Sequence, residues 1–466
     1  QLMENTWIVF NGENGVNEFF DETKNKNKKH RSNEALVPFK TKVDNNKYED
    51  FSGVVGAFSQ IMSGTNIKKK LDLEAIKNKI HEKMEDCTNE DFEILFQIIG
   101  NMYFEEGKLL PVNVKALNYI EFNISQRQVA EYLYGIFIHS TNLENLYKNM
   151  EEKEDTNALE QLVFDSLQNE QSKEKASVSL AKCFLPYVKD AFVKDFTILI
   201  QDTTIYQNNI TRFLAYYYMF YISQLAIKLN RFEEGKRDEI EKVYLTLYEE
   251  VVTRVRLGYE YGWKYVRDKL SHMFSHAVVL EILSHNTENR HMDYINFFER
   301  FNGTDEDEKV SKEIYLICQK YMKWIPLNYE NCKHDHEKDS SCLTSNEMKR
   351  LFEIVDYQFR NGGRISHYNG FIRKYVEFVQ KNFGKFRGMC GYTLSVHESD
   401  IIMFTRIILK ENCGRIGLTK LFEEFEKRGL LFDRESKKRI IELFERMNLL
   451  EKRSDSGDAQ YVKYVL

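Results

Sequence analysis

Apolar positions recur at helical spacing through most of this chain. In NEDFEILFQIIGNMYFEE, Phe92, Leu95, Phe96 and Ile99 stand at i, i+3, i+4 and i+7. That spacing draws one apolar face on a helix, and such a face needs a partner helix. The same signature dominates residues 67–391. Its most apolar passage is RFLAYYYMFYISQLAIK, Arg212 to Lys228. A membrane span needs about twenty apolar residues, and this run falls short of that between its flanking charges, so it predicts a buried central helix and no membrane association. Its Tyr216, Tyr217, Tyr218 and Tyr221 need hydroxyl partners once buried. One edge of the helix is therefore expected to meet polar groups or another subunit.

From Ser395 onward several local signals agree. Ser395 and Glu398 have capping-box spacing, and Ile401, Ile402, Thr405, Ile408 and Leu409 then fall on one helical side. Gly414 to Leu418 is a short extended link. Thr419 is the expected cap of a second helix that buries Leu421, Phe422 and Phe425 and ends at Gly429. Asp433 caps a third helix with Ile440, Ile441, Phe444 and Met447 inward. Two strands, Leu449 to Arg453 and Gln460 to Leu466, then flank the turn SDSGDA. Helix, short strand, helix, helix and hairpin is the order of a winged helix-turn-helix.

Composition supports a mainly α class: four prolines and 22 glycines in 466 residues leave helices free to run long. The fold expected is an irregular multi-helix body with a C-terminal winged helix-turn-helix domain. The divisions are an N-terminal segment 1–66, an α-helical scaffold 67–391 of one or two lobes, and the winged domain 395–466. Asp21 to Glu34 is polar and lysine-rich and reads as a surface loop or flexible arm. Phe51 to Gly64 has the glycine spacing of a compact turn without the Gly-Lys-Ser/Thr of a P-loop. Two acidic or polar stretches, 149–157 and 302–309, read as loops between helices.

A net charge of −6 with mixed signs excludes a global polycation, so any DNA contact is local. The best-placed cations are Arg434, Lys437, Lys438 and Arg439 on the first turns of the third helix, with Lys452, Arg453 and Lys463 on the hairpin. In helix-turn-helix proteins the N-terminal part of that helix meets the major groove. A secondary set, Arg254, Arg256, Lys264, Arg267 and Lys269, is interleaved with Tyr259, Tyr261, Trp263 and Tyr265. Such text fits phosphate and base contacts, and equally helix packing with snorkelling cations.

Candidate chemistry beyond this is thin. Cys332, His334, His336 and Cys342 gather four zinc-competent donors in one loop, but their spacing departs from the usual ligand pairs, and a charged loop is the favoured reading. His272 and His276 share a helix face, yet Met273 stands where a metalloprotease carries glutamate. A polar seam between helices is expected there instead. No nucleophile elbow, kinase set or Rossmann fingerprint is present, so the sequence predicts a protein that is not an enzyme and carries no cofactor. Seven widely spaced cysteines and the lack of a signal-peptide pattern at the start predict a cytoplasmic protein with reduced thiols.

The run RGLLFDRESKKRIIELFERMNLLEKRSDSGDAQYVKYVL, Arg428 to Leu466, resembles the C-terminus of DptG, also called DndG, a component of DNA phosphorothioation-dependent restriction systems. SDSGDAQYVK, Ser454 to Lys463, is the most specific part. The resemblance implies a bacterial protein of antiviral defence that binds double-stranded DNA. It also implies F and H partner components, an ATPase and a helicase-like subunit, in which nucleotide hydrolysis would reside. A pure protein-interaction adaptor is the alternative, and a metal-dependent nuclease a third.

Overall fold

The computed structural model describes residues 8–10, 12–20, 36–38, 47–67, 71–84, 88–154, 156–167, 181–286, 292–332, 340–452 and 460–464. It is mostly helical. The central helix runs from Thr203 to Leu229, where Asp202 caps its start by accepting from the Ile205 amide at 3.0 Å. From Phe213 to Leu229 every side chain on it is buried, as a helix apolar on all sides requires. Its tyrosines find their partners within the chain. Tyr216 donates to the Arg428 carbonyl (2.7 Å), Tyr217 to Asp195 Oδ2 (2.6 Å) and Tyr218 to the Tyr48 hydroxyl (3.3 Å), while Tyr221 accepts from the Phe184 amide (2.8 Å). Among the described residues no helix is long and apolar enough to cross a membrane.

The Phe51 to Gly64 stretch, expected as a turn, is instead the helix Ser52–Ser63, buried on nearly all sides. Its glycines serve close packing: a Cβ at Gly56 would stand 2.4 Å from the Ile120 carbonyl oxygen. The N-terminal segment joins the main core through Val9, Phe10 and Phe58, and the amides of Ile8, Val9 and Phe10 all donate to the Glu313 carboxylate. A smaller core lies to one side, built on Ile76, Ile80, Phe92, Ile99 and Phe164. The expected loops at 149–157 and 302–309 are shorter than the text implied, because Leu143–Lys153 and Asp307–Trp324 are helical.

Nine short strands also occur among the described residues. β1 (Phe104–Glu105) and β2 (Lys108–Leu109) make a small hairpin. β3 (Tyr244–Leu247), β4 (Gly384–Phe386), β5 (Tyr392–Val396) and β7 (Leu431–Phe432) form a sheet of order β4-β5-β3-β7. β3 runs parallel to both β5 and β7, with Thr246 opposite Ser395 and Leu245 opposite Phe432. Leu245, Thr246 and Leu247 are all buried, as a strand covered on both faces should be. The C-terminal stretch is thereby hydrogen-bonded into the body at two strands. Ser395, expected as a helix cap, lies inside β5 and shares a 2.8 Å hydrogen bond with Thr246. The helix starts three residues later, at Glu398, after the N-cap His397, whose amide donates to Asp400 Oδ2 at 2.8 Å.

The remaining C-terminal order is helix Glu398–Glu411, β6 (Arg415–Gly417), helix Leu418–Glu426, β7, helix Arg434–Arg446, β8 (Leu450–Lys452) and β9 (Gln460–Lys463). β6, β9 and β8 form an antiparallel sheet with Ile416 and Leu450 both opposite Val462. Gly417, rather than Thr419, is the N-cap of the second helix, and Met447 lies exposed past the end of the third. Gly429 closes the second helix at φ +77°, a conformation glycine adopts without strain. The hairpin tip, 453–459, lies outside the described residues.

Candidate nucleic-acid interface

The third C-terminal helix owes its position to one capping residue. Asp433 accepts from the Ser436 amide at 3.1 Å and from Arg256 Nε at 3.0 Å, and the Gly258 amide also reaches its carboxylate. Burial pushes the Asp433 carboxyl up, but Arg256 and the amides outweigh it and hold it below the usual carboxylate range. Arg256 also donates to Glu250 Oε2 (3.1 Å) and Ser436 Oγ (2.9 Å), and Ser436 Oγ donates to Glu250 Oε1 (2.6 Å). The Arg256 guanidinium therefore faces protein carboxylates, which removes it from the cations open to a phosphate. Its role is to lock the start of the third helix against the loop before the short helix Leu257–Glu260.

The cations on that helix differ in how free they are. Arg434 and Lys438 are exposed, and neither has an ion pair among the described residues. Spaced at i and i+4, they share one face. Lys437 is half-buried, paired with Glu426 at 3.1 Å and held over the Phe422 ring. Arg439 is exposed but pairs with Glu442 at 3.0 Å. On the hairpin, Lys463 approaches Glu451 at 3.6 Å. The Lys452 side chain and Arg453 lie outside what the structure describes. Sequence reasoning did not pick out Arg415, whose guanidinium stacks over Tyr461 at 4.1 Å and ties β6 to β9.

Of the secondary set, Arg254 is exposed and donates to the Met389 carbonyl at 3.0 Å. Lys264 lies over the Tyr259 ring, and Lys269 pairs with Asp268 at 3.1 Å and sits over Tyr265. Arg267 is exposed with no ion pair among the described residues. Lys264 and Arg267 open onto a cleft of about 670 Å³ that also contains Tyr261, Tyr265 and Tyr368. Tyr368, from a distant helix, carries no signal in the local sequence.

A third feature borders the same capping residue. The loop 249–256 is braced against the loop 387–391. Arg387 donates to the carbonyls of Leu247 (2.8 Å) and Glu250 and to Thr393 Oγ1 (2.8 Å). On these braced loops Val255, Met389 and Val251 are 91 %, 85 % and 82 % exposed, the highest values among the large apolar side chains described. Phe386, on the edge strand β4, is exposed beside them in the chain.

Of the four candidate zinc donors, the two cysteines are described. Cys342 is buried, and its thiol donates to Asp307, which also accepts from the amides of Leu343 and Thr344 and so caps the helix Leu343–Asn361. Cys332 is buried, and burial pushes its thiol up to about 11. His334 and His336 lie outside the described residues, among which no group of three metal-ligating side chains converges. His272 and His276 form a seam between helices: His272 meets Asp356 at 3.2 Å, and His276 meets the Tyr294 hydroxyl at 2.9 Å while stacking on Phe352. Compared with known proteins, the chain matches no family model and no curated relative.

Proposed function

We propose that this chain is a non-enzymatic DNA-binding and scaffolding subunit of a phosphorothioation-dependent DNA restriction complex, with its C-terminal stretch acting as a winged helix-turn-helix. The observation that carries the DNA half is the pair Arg434 and Lys438, exposed on one face at the start of the third helix with no ion pair among the described residues. Arg439 and Lys463 extend that surface in this reading, and Lys452 and Arg453, outside the described side chains, are its remaining candidates from the sequence. The restriction half rests on the resemblance of Arg428 to Leu466 to DptG, and it places nucleotide hydrolysis in the F and H partners.

The test is a titration of labelled duplex DNA with the full chain and with an R434E/K438E variant. In this reading the wild type binds duplex and the variant binds at least tenfold more weakly, since each lost phosphate contact removes counterion release. Equal binding by both, with folding intact, removes the third helix from the interface.

The alternative, an adaptor whose winged helix meets only protein, has an observation in its favour. Val251, Val255 and Met389 form an apolar prominence on braced loops, and solvent-exposed apolar clusters commonly mark protein contacts. Scaffolding in the complex uses this surface. A chain that binds the partner subunits yet shows no salt-sensitive affinity for DNA would be an adaptor alone.

A further inference from the structure

The cleft between the helix Trp263–Leu270 and the helix Ile365–Phe371 has the makeup of a nucleotide site. Two cations, Lys264 and Arg267, stand in it with no ion pair among the described residues; both are exposed, and Lys264 lies over the Tyr259 ring. Both side chains line the cleft from the helix Trp263–Leu270, one turn apart.

Aromatic surface lies alongside. Tyr261 is 44 % exposed and meets Tyr265 edge to face at 6.2 Å. Tyr368 is held rigid, with its hydroxyl donating to Asp356 at 2.9 Å and its ring stacked on Phe359. Asn369 adds an exposed amide able to read a base edge. Asp268 is compensated by Lys269, which leaves Glu260 as an acceptor for an exocyclic amino group.

We infer that this cleft holds an unpaired nucleotide, its base on Tyr261 and Tyr265 and its phosphate on Arg267 and Lys264. A base inside a duplex has both faces covered by its stacked neighbours, so the ligand is a single-stranded stretch or a base swung out of a duplex. The cleft also has a physical link to the third C-terminal helix. The Gly258 amide and Arg256, just upstream of Tyr261, hold Asp433 at that helix's start. The inference rests on the nucleic-acid reading above, and the experiment separates the two.

Binding of the full chain is measured to a blunt duplex, to the same duplex with a single-stranded tail, and to the tailed duplex carrying 2-aminopurine in the tail. The tail is expected to tighten binding roughly tenfold, the contribution of one stacked base, and to change the 2-aminopurine emission. Y261A and R267Q, both at exposed positions, should each abolish that gain and leave the blunt duplex unaffected. A tail that adds nothing, or a gain that survives both substitutions, overturns the site. Binding of the tail through Tyr261 without any blunt-duplex affinity overturns the third-helix reading and upholds the cleft.

Discussion

Arg428 and Asp195, 233 residues apart in the chain, form a buried bidentate ion pair, with Nη2 to Oδ1 at 2.7 Å and Nε to Oδ2 at 2.9 Å. Tyr217 donates to the same carboxylate, and Arg428 Nη1 also reaches Glu424. The turn after the second C-terminal helix is thus fixed to the central helix and to the helix Pro186–Leu199 before it. Together with Arg256 on Asp433 and Arg212 on Asp400 (2.6 Å), this sets how the third helix is presented.

Removing one partner of such a pair strands a buried charge. R428M should lower stability by roughly 3–5 kcal/mol in urea unfolding, and R428M/D195L should recover a large part of the loss, because the fully buried carboxylate is removed while Glu424 and Glu411 keep Lys427 and Lys194 as partners.

Gly429 provides a second test of the same junction. A Cβ there would lie 2.2 Å from Phe220 Cε2, and its φ of +77° disfavours any side chain. G429A should cost about 1–3 kcal/mol. In an F220L background the cost should be smaller, since the two positions touch and their effects do not add.

His276 predicts a pH effect. Burial keeps its imidazole neutral, with the nearby His272 adding to the depression, so its pKa lies well below the ordinary value. The unfolded chain gains a proton below about pH 6.5 that the folded chain refuses, so stability falls as pH drops, by about 1.4 kcal/mol per unit at most. The Asp433 and Asp356 carboxylates, both held low, act in a different window. Their contribution is present above about pH 4 and is lost below it. Denaturation at pH 5, 6 and 7 should therefore show a shallower loss for H276F than for wild type.

The C-terminal elements were legible because each is specified locally: Asp433 as cap, Gly429 as terminator, and apolar residues at helical spacing. The sheet that joins them to the body was not. TYR-LEU-THR-LEU at 244–247 is too short to show a period, and its parallel partners lie far along the chain. The 52–63 helix was missed because burial on nearly every side erases amphipathic patterning, and its glycines, needed for packing, read as turn residues. Free cations could not be told from committed ones either. Arg256 and Lys438 look alike in the sequence, and only the fold shows that one is locked between carboxylates and the other faces solvent.

The apolar prominence should separate partner binding from DNA binding. V255S/M389S is expected to leave folding and duplex affinity unchanged, because both side chains are almost fully exposed, and to weaken association with the proposed ATPase and helicase-like partners in a pull-down.

The salt dependence of duplex binding tests the central claim most directly. For the full chain, log K should fall linearly with log salt concentration, and the slope should become shallower by about one for each of Arg434 and Lys438 replaced by glutamine. An identical slope for wild type and double variant, or an affinity that does not respond to salt, would contradict the assignment of this helix to DNA.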